Sequence, residues 1–168
     1  MAKQLGSKDF IMETDLAKLP YLHGVVKETL RLHLTVPLIL REVVRVNVSL
    51  GGFHMSNGTG VVVNLSAIGW DERAWSCSHK FIPERFLLGK EVHSIGKDFI
   101  YKPFGMGRRM CPRMEYTTWS VPLLLAFILH KFEWRLPGGI APDEMELSDR
   151  YGTMLNRATP VHAAASIM

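Results

Sequence analysis

The run KPFGMGRRMCPRMEYTT, Lys102 to Thr118, gathers two glycines, three arginines and one cysteine ahead of a helical pattern. Cys111 is the residue with chemistry to offer. Free cysteine ordinarily packs as a small hydrophobe, so its surroundings must supply a reason for anything more. With Pro112 at the first position of the following helix, the sulfur would lie near unpaired backbone N–H groups and the positive end of the helix dipole. That setting favours the thiolate. Gly105 and Gly107 permit backbone conformations, and a close approach to a flat ligand, that a β-carbon blocks. Arg108, Arg109 and Arg113 can pair with anionic groups bidentately. A thiolate for iron, a loop that admits a flat ring and arginines for carboxylates together describe a haem held by cysteine.

Other chemistries use less of the chain. A zinc site needs four ligands at close spacing, and only Cys77, His79 and Cys111 come near that pattern, with no CxxC pair. A nucleophilic cysteine needs a histidine base close in space, which His33, His54, His93 or His130 could supply once folded. The arginines lack the binding motif or stacking platform expected of a nucleic-acid surface.

Composition sets looser bounds. With 168 residues, 47% hydrophobic and 21% charged, the chain reads as a compact domain or a piece of one. A net charge of +4 suits nucleic acid, anionic lipid or an acidic protein partner equally. Two cysteines without a signal peptide make no disulfide framework, so a reducing compartment is expected, and the sequons at Asn47, Asn57 and Asn64 then carry little weight. The N-terminus has no apolar core of the length that a signal or anchor requires. The most apolar stretch, Val121 to Leu129, is less than half of the ~20 residues of a membrane span and contains Pro122. It reads as a buried core helix.

The elements that must position Cys111 follow from periodicity. Pro20 suits a first turn, and Tyr21, Leu22, Val25, Val26, Leu30 and Leu32 give an apolar face through His33. Glu28 and Arg31 lie three residues apart on that helix, a spacing that usually means an exposed ion pair. From Arg41 to Gly69, β-branched runs broken by Gly51-Gly52 and Asn57-Gly58 predict strands joined by tight turns. From Trp70 to Tyr101 the chain is irregular and long for a structureless loop. A helix is predicted from Pro112 to His130, with Pro122 inside it costing about 3 kcal/mol or bending it. The tail from Phe132 reads as turns and short strands.

These pieces align with one family. Lys27-Glu28-Thr29-Leu30-Arg31, Phe81-Ile82-Pro83-Glu84-Arg85-Phe86 and Phe104-Gly105-Met106-Gly107-Arg108-Arg109-Met110-Cys111 resemble, in order and spacing, the three signatures of the cytochrome P450 haem-thiolate monooxygenases. The stretches DLAKLPYLHGVVKETLRLH and VVVNLSAIGWDERAW, with Phe132 to Trp134 and YGTML near Tyr151, resemble the plant microsomal type. The likeness runs from about Asp15 to Pro160. It implies a single partial domain over residues 1–168, the C-terminal haem-ligating portion of the fold. That portion is mainly α with small β-sheets (α+β): signature helix, β-hairpins, meander, cysteine loop, long helix and C-terminal β segment.

The resemblance also implies roles. Cys111 would be the axial thiolate of haem b, Arg41 and Arg109 would pair with its propionates, Phe104 would shield the sulfur, and Gly107 would be the loop glycine. Glu28, Arg31 and Arg85 would form a buried structural triad. Val36, Leu38, Ile39, Thr153 and Met154 would line a pocket for a small lipophilic substrate, of terpenoid or phenolic type. Electrons would come from NADPH through a flavoprotein reductase, drawn to a basic rim of Lys102, Arg108 and Arg113. Intact relatives would sit on the cytosolic face of the endoplasmic reticulum membrane, whereas this anchor-free chain would default to the cytoplasm. Without the distal helix of the family it is expected to be inactive as a monooxygenase alone. The alternatives are a haem-binding or partner-binding remnant without chemistry and a small basic binding module. Four positions depart from the family pattern: Arg113 where glycine is usual, expected to crowd the haem face or its helix, Pro122 in place of a helix former, Leu34 for proline and Trp70 for arginine.

Overall fold

The computed structural model describes residues 5, 6, 8, 10–87, 99–152 and 154–167. Thr153 and His93 lie outside the described residues. A 3₁₀ turn at Glu13–Lys18 leads into α1 at Pro20–Leu32, with Pro20 in the first helical turn. The strands β1 (Leu38–Glu42), β2 (Val48–Leu50), β3 (Phe53–Met55) and β4 (Gly60–Asn64) follow, and a short α2 (Leu65–Gly69) leads into the meander. After a 3₁₀ turn at Pro83–Phe86 and the cysteine loop comes α3, Met114–Lys131, and the tail supplies β5 (Phe132–Arg135), β6 (Asp149–Arg150), β7 (Asn156–Arg157) and β8 (Ala164–Ile167). Among the described residues the sheets are two-stranded and antiparallel: β1 with β4, β2 with β3, β5 with β8 and β6 with β7. The architecture is the expected mixture of helices and small sheets.

Local sequence explains the β region. Leu50 pairs with Phe53 across Gly51 and Gly52, whose φ of 58° and 85° are the positive values that a two-residue hairpin turn demands. In β1 the burial alternates, so Ile39 and Arg41 share one face while Leu38 and Leu40 share the other. The strand expectation extended too far at its end, because Leu65–Gly69 is helical. Asn64 caps that helix, its side chain accepting from the amide of Ala67 at 2.9 Å, and an asparagine ahead of an apolar run was the available signal.

The inward stripe of α1 differs from its apolar register. Leu22, Gly24, Glu28, Arg31 and Leu32 are buried, while Tyr21 is 52% exposed. A β-carbon on Gly24 would lie 2.8 Å from the carbonyl oxygen of Pro83, and one on Gly69 would lie 2.6 Å from that of Arg31. These two glycines let the meander and α2 close on α1.

The long helix begins at Met114, two residues later than predicted, with Arg113 as its cap. Pro112 therefore sits in the turn between the cysteine and the helix, not at the first helical position. Pro122 does not end α3, which runs through it as one element. The proline ring is fully buried, and its packing offsets the backbone bond its nitrogen cannot make. Among the described residues no helix is long and apolar enough to cross a membrane.

The apolar core joins Leu5, Leu16, Leu19 and Leu22 to Ala126 of α3. Beside it Asp15 is buried, bonded to the Lys8 ammonium at 2.7 Å, the Lys18 ammonium at 3.1 Å and the Met12 amide at 3.2 Å. Lys8 above all, then Met12 and Lys18, hold its carboxyl far below the ordinary carboxylate pKa. An unfolded chain therefore takes up the proton first, and Asp15 stabilises the fold above the ordinary carboxylate value of ~3.9. Urea unfolding across pH should show stability falling as pH drops through about 4 and below, with Asp15→Asn flattening that slope; an unchanged slope in the variant contradicts the assignment.

Candidate cofactor site

The geometry starts from Glu28, a buried carboxylate three residues before a buried guanidinium. Arg31 grips it with two hydrogen bonds, Nε to Oε2 and Nη2 to Oε1, both 2.8 Å. Arg85, from the 3₁₀ turn of the meander, donates its Nε to Oε1 at 3.2 Å, and the Ile82 amide reaches the same oxygen at 2.9 Å. Further guanidinium hydrogens bond to backbone carbonyls. Arg31 donates to the carbonyls of Gly69 at 2.6 Å and Lys80 at 3.2 Å. Arg85 donates to the carbonyls of Ser76 and Cys77. The Arg31 guanidinium also lies 5.3 Å from the ring centre of Trp75. Burial alone would raise the Glu28 pKa, but hydrogen bonds from Arg31, Ile82 and Arg85 and the Arg31 charge together lower it below the ordinary value. The pair is therefore buried, unlike the exposed ion pair that its spacing alone suggested.

This hub fixes α1 to the meander, and one face of α1 then meets the cysteine loop. Gly105 has φ of 74° and Gly107 of 72°, so the loop folds back and closes with the Cys111 amide donating to the Phe104 carbonyl at 2.9 Å and the Gly105 amide to the Lys102 carbonyl at 3.0 Å. A β-carbon on Gly105 would come within 3.1 Å of Ile39. The loop thus presses on β1.

Between loop, strand and helix lies an open cleft of about 400 Å³. Cys111, Phe104, Arg109, Arg41, Val36 and Ile39 line it, together with Leu30, Thr35, Leu65, Pro103, Gly105 and Thr117. Cys111 is half-buried. Neither Arg41 nor Arg109 has a salt-bridging carboxylate among the described residues. The Arg41 Nη1 reaches only its neighbour's carbonyl, that of Leu40, at 2.9 Å. One sulfur, two guanidiniums without carboxylate partners and apolar walls suit a flat, largely apolar group that carries carboxylates and accepts a thiolate. Among the described residues no histidine lines the cleft, so they offer a Cys111 nucleophile no imidazole base.

Several sequence-selected residues stand elsewhere. Leu38 is on the outer face of β1, 50% exposed and away from the cleft, because strand alternation gives the inner face to Ile39 and Arg41. Met154 is 53% exposed and is not in the wall, although its neighbour Leu155 is tied to Thr35 by a 2.8 Å backbone bond. Gly107 shapes the loop but does not line the cleft. Lys102 is buried, its ammonium 5.9 Å from the Phe99 ring centre, so it adds nothing to a surface rim. Arg113 is exposed and outside the cleft, with a φ of −104° that any residue adopts. The carbonyls of Gly69, Ser76 and Lys80 that complete the hub were invisible to motif reading because backbone acceptors have no sequence signature.

Comparison with known proteins decides the family. The family model described as "Cytochrome P450" matches residues 1–161. The chain belongs to the cytochrome P450 family. Cytochrome P450 76C2 of Arabidopsis thaliana is 41% identical over 159 residues, covering 95% of this chain and 31% of the relative. Geraniol 8-hydroxylase of Catharanthus roseus is 39% identical over 168 residues, covering 100% of this chain and 34% of the relative. A zebra fish cytochrome P450 solved with progesterone superposes with a TM-score of 0.82 at 25% identity, covering 99% of this chain and 36% of that one. The chain thus spans about a third of the length of these relatives.

The hub yields a stability prediction. Glu28→Gln leaves the buried Arg31 guanidinium and the partly buried Arg85 guanidinium without their counter-charge and should cost about 3–5 kcal/mol in urea unfolding at neutral pH. The exposed pair Asp71–Arg73 is the control, and Asp71→Asn should cost far less, because solvent screens the pair. Equal small losses at both sites would contradict the hub's weight.

Proposed function

We propose that this chain supplies the cysteine-side half of a haem b site, as part of a monooxygenase that inserts one oxygen atom of O₂ into a small lipophilic metabolite. The observation that carries the reading is the convergence of Cys111, Arg41, Arg109 and Phe104 with the apolar Val36 and Ile39 on one cleft. Cys111 would supply the iron's axial thiolate, and Arg41 and Arg109 would neutralise the propionates. Phe104, whose carbonyl holds the Cys111 amide, would keep water from the sulfur. When bound, the haem supplies oxygen activation, which electron donation from a thiolate favours by promoting O–O cleavage.

The substrate class follows from the wall and the relatives. Val36 and Ile39 present hydrocarbon to the open side of the cleft, which suits an oily molecule and leaves no buried charge to satisfy. Relatives at 39% and 40% identity carry the names geraniol 8-hydroxylase and germacrene A hydroxylase, and oryzalexin E synthase of rice is 41% identical. These names favour a terpenoid over a phenolic. Arg108 and Arg113, both exposed near the loop, would form the surface for an acidic NADPH-dependent flavoprotein reductase, with an encounter rate that falls as salt rises. The cytosolic face of the endoplasmic reticulum suits that electron supply.

Haem reconstitution tests the reading. The 168-residue chain, loaded with haem and reduced under carbon monoxide, should give the red-shifted Soret band specific to a thiolate ligand, and Cys111→Ser should abolish it. A band that persists in the variant would show that another residue ligates the iron.

A further inference from the structure

Tyr101 stands three residues before Phe104 and is 4% exposed. Its ring packs against Phe86, with centroids 5.3 Å apart, and edge-on to Trp75 at 6.3 Å. Both partners belong to the meander. Its hydroxyl donates to the carbonyl of Lys27 on α1 at 3.1 Å, and Lys27 immediately precedes the hub carboxylate Glu28. Burial first, and then the Glu28 charge, push the phenol pKa far above its ordinary value, so the hydroxyl remains a donor over the whole range in which the fold survives.

From this anchor a short bonded path leads to the sulfur. The carbonyl of Lys102, the next residue, accepts the Gly105 amide at 3.0 Å, and the Phe104 carbonyl accepts the Cys111 amide at 2.9 Å. On the far side of the loop Gly107, Arg108 and Arg109 are exposed. We infer that Tyr101 is a positioning residue: its hydroxyl ties the first strand of the cysteine loop to α1 and so sets where the Cys111 sulfur points in the cleft. The inference deepens the haem reading above and rests on it for its consequence. Its local part, the tethering of the loop, stands on geometry alone. Tyr101 does not line the cleft, so it acts only through the loop.

Tyr101→Phe isolates the claim, because it keeps the ring among Phe86 and Trp75 and removes only the hydroxyl. Amide hydrogen exchange on the full chain without haem should show the Gly105 and Cys111 amides exchanging about 2- to 10-fold faster, the factor expected for one hydrogen bond. The Ala126 amide in the core of α3 and the Ile82 amide held by Glu28 should not change. With haem loaded, the variant should release it faster by a similar factor and show a smaller share of the red-shifted carbon monoxide band. Unchanged loop amides overturn the inference, and so does a uniform acceleration that includes Ala126, which is the signature of lost global stability. If the unmodified chain gives no Cys111-dependent band, the haem reading fails, while the exchange comparison still decides the tether.

Discussion

One buried carboxylate sets the terms for the rest of the molecule. Glu28 is fully buried between two guanidiniums, and buried ions are tolerated only when their hydrogen-bonding capacity is met. Meeting it takes groups from distant parts of the chain: the Ile82 amide for the carboxylate, and the carbonyls of Gly69, Lys80, Ser76 and Cys77 for the arginines. Among its described residues the meander has no regular ladder, yet these bonds prescribe its path. Gly24 and Gly69 are the steric condition for that path, since a β-carbon at either would collide with backbone.

The contrast among the arginines explains how a rigid frame and an open site coexist. Arg31 and Arg85 spend their donors on carbonyls and one carboxylate inside the fold. Arg41 and Arg109 face the cleft without a carboxylate among the described residues. The first two hold α1 and the meander, and the loop carrying Cys111 rests against α1 and β1 through Tyr101 and Gly105. The second two remain available for an anionic ligand. Residues of one type therefore serve structure or binding according to whether the surrounding backbone saturates them.

Much of this was legible in the sequence, and the exceptions have physical causes. The hairpin at Gly51-Gly52 could be read because only positive φ closes a two-residue turn. The start of α1 could be read from Pro20. The burial of α1 could be read only in part: Leu22 and Leu32 of its apolar register are buried, but Gly24, Glu28 and Arg31 complete the inward stripe. Periodicity weighs hydrophobicity and is blind to a paired charge. Lys102 was assigned to a surface rim from charge alone, whereas the fold buries it, with its ammonium 5.9 Å from the Phe99 ring centre. Within the cleft, Cys111, Arg41, Arg109, Phe104, Val36 and Ile39 were all selected from sequence, but Leu65 and Thr117 were not, because no motif marks a residue that merely completes a wall.

The central claim is that the carboxylate of Glu28 binds α1 to the meander through Arg85, a residue far along the chain. A double-mutant cycle of Glu28→Gln and Arg85→Gln, read by urea unfolding, measures that coupling directly. An interaction energy of about 1–3 kcal/mol is predicted; losses that add within ~0.5 kcal/mol would mean that the two residues stabilise the fold independently and that the hub does not hold it together.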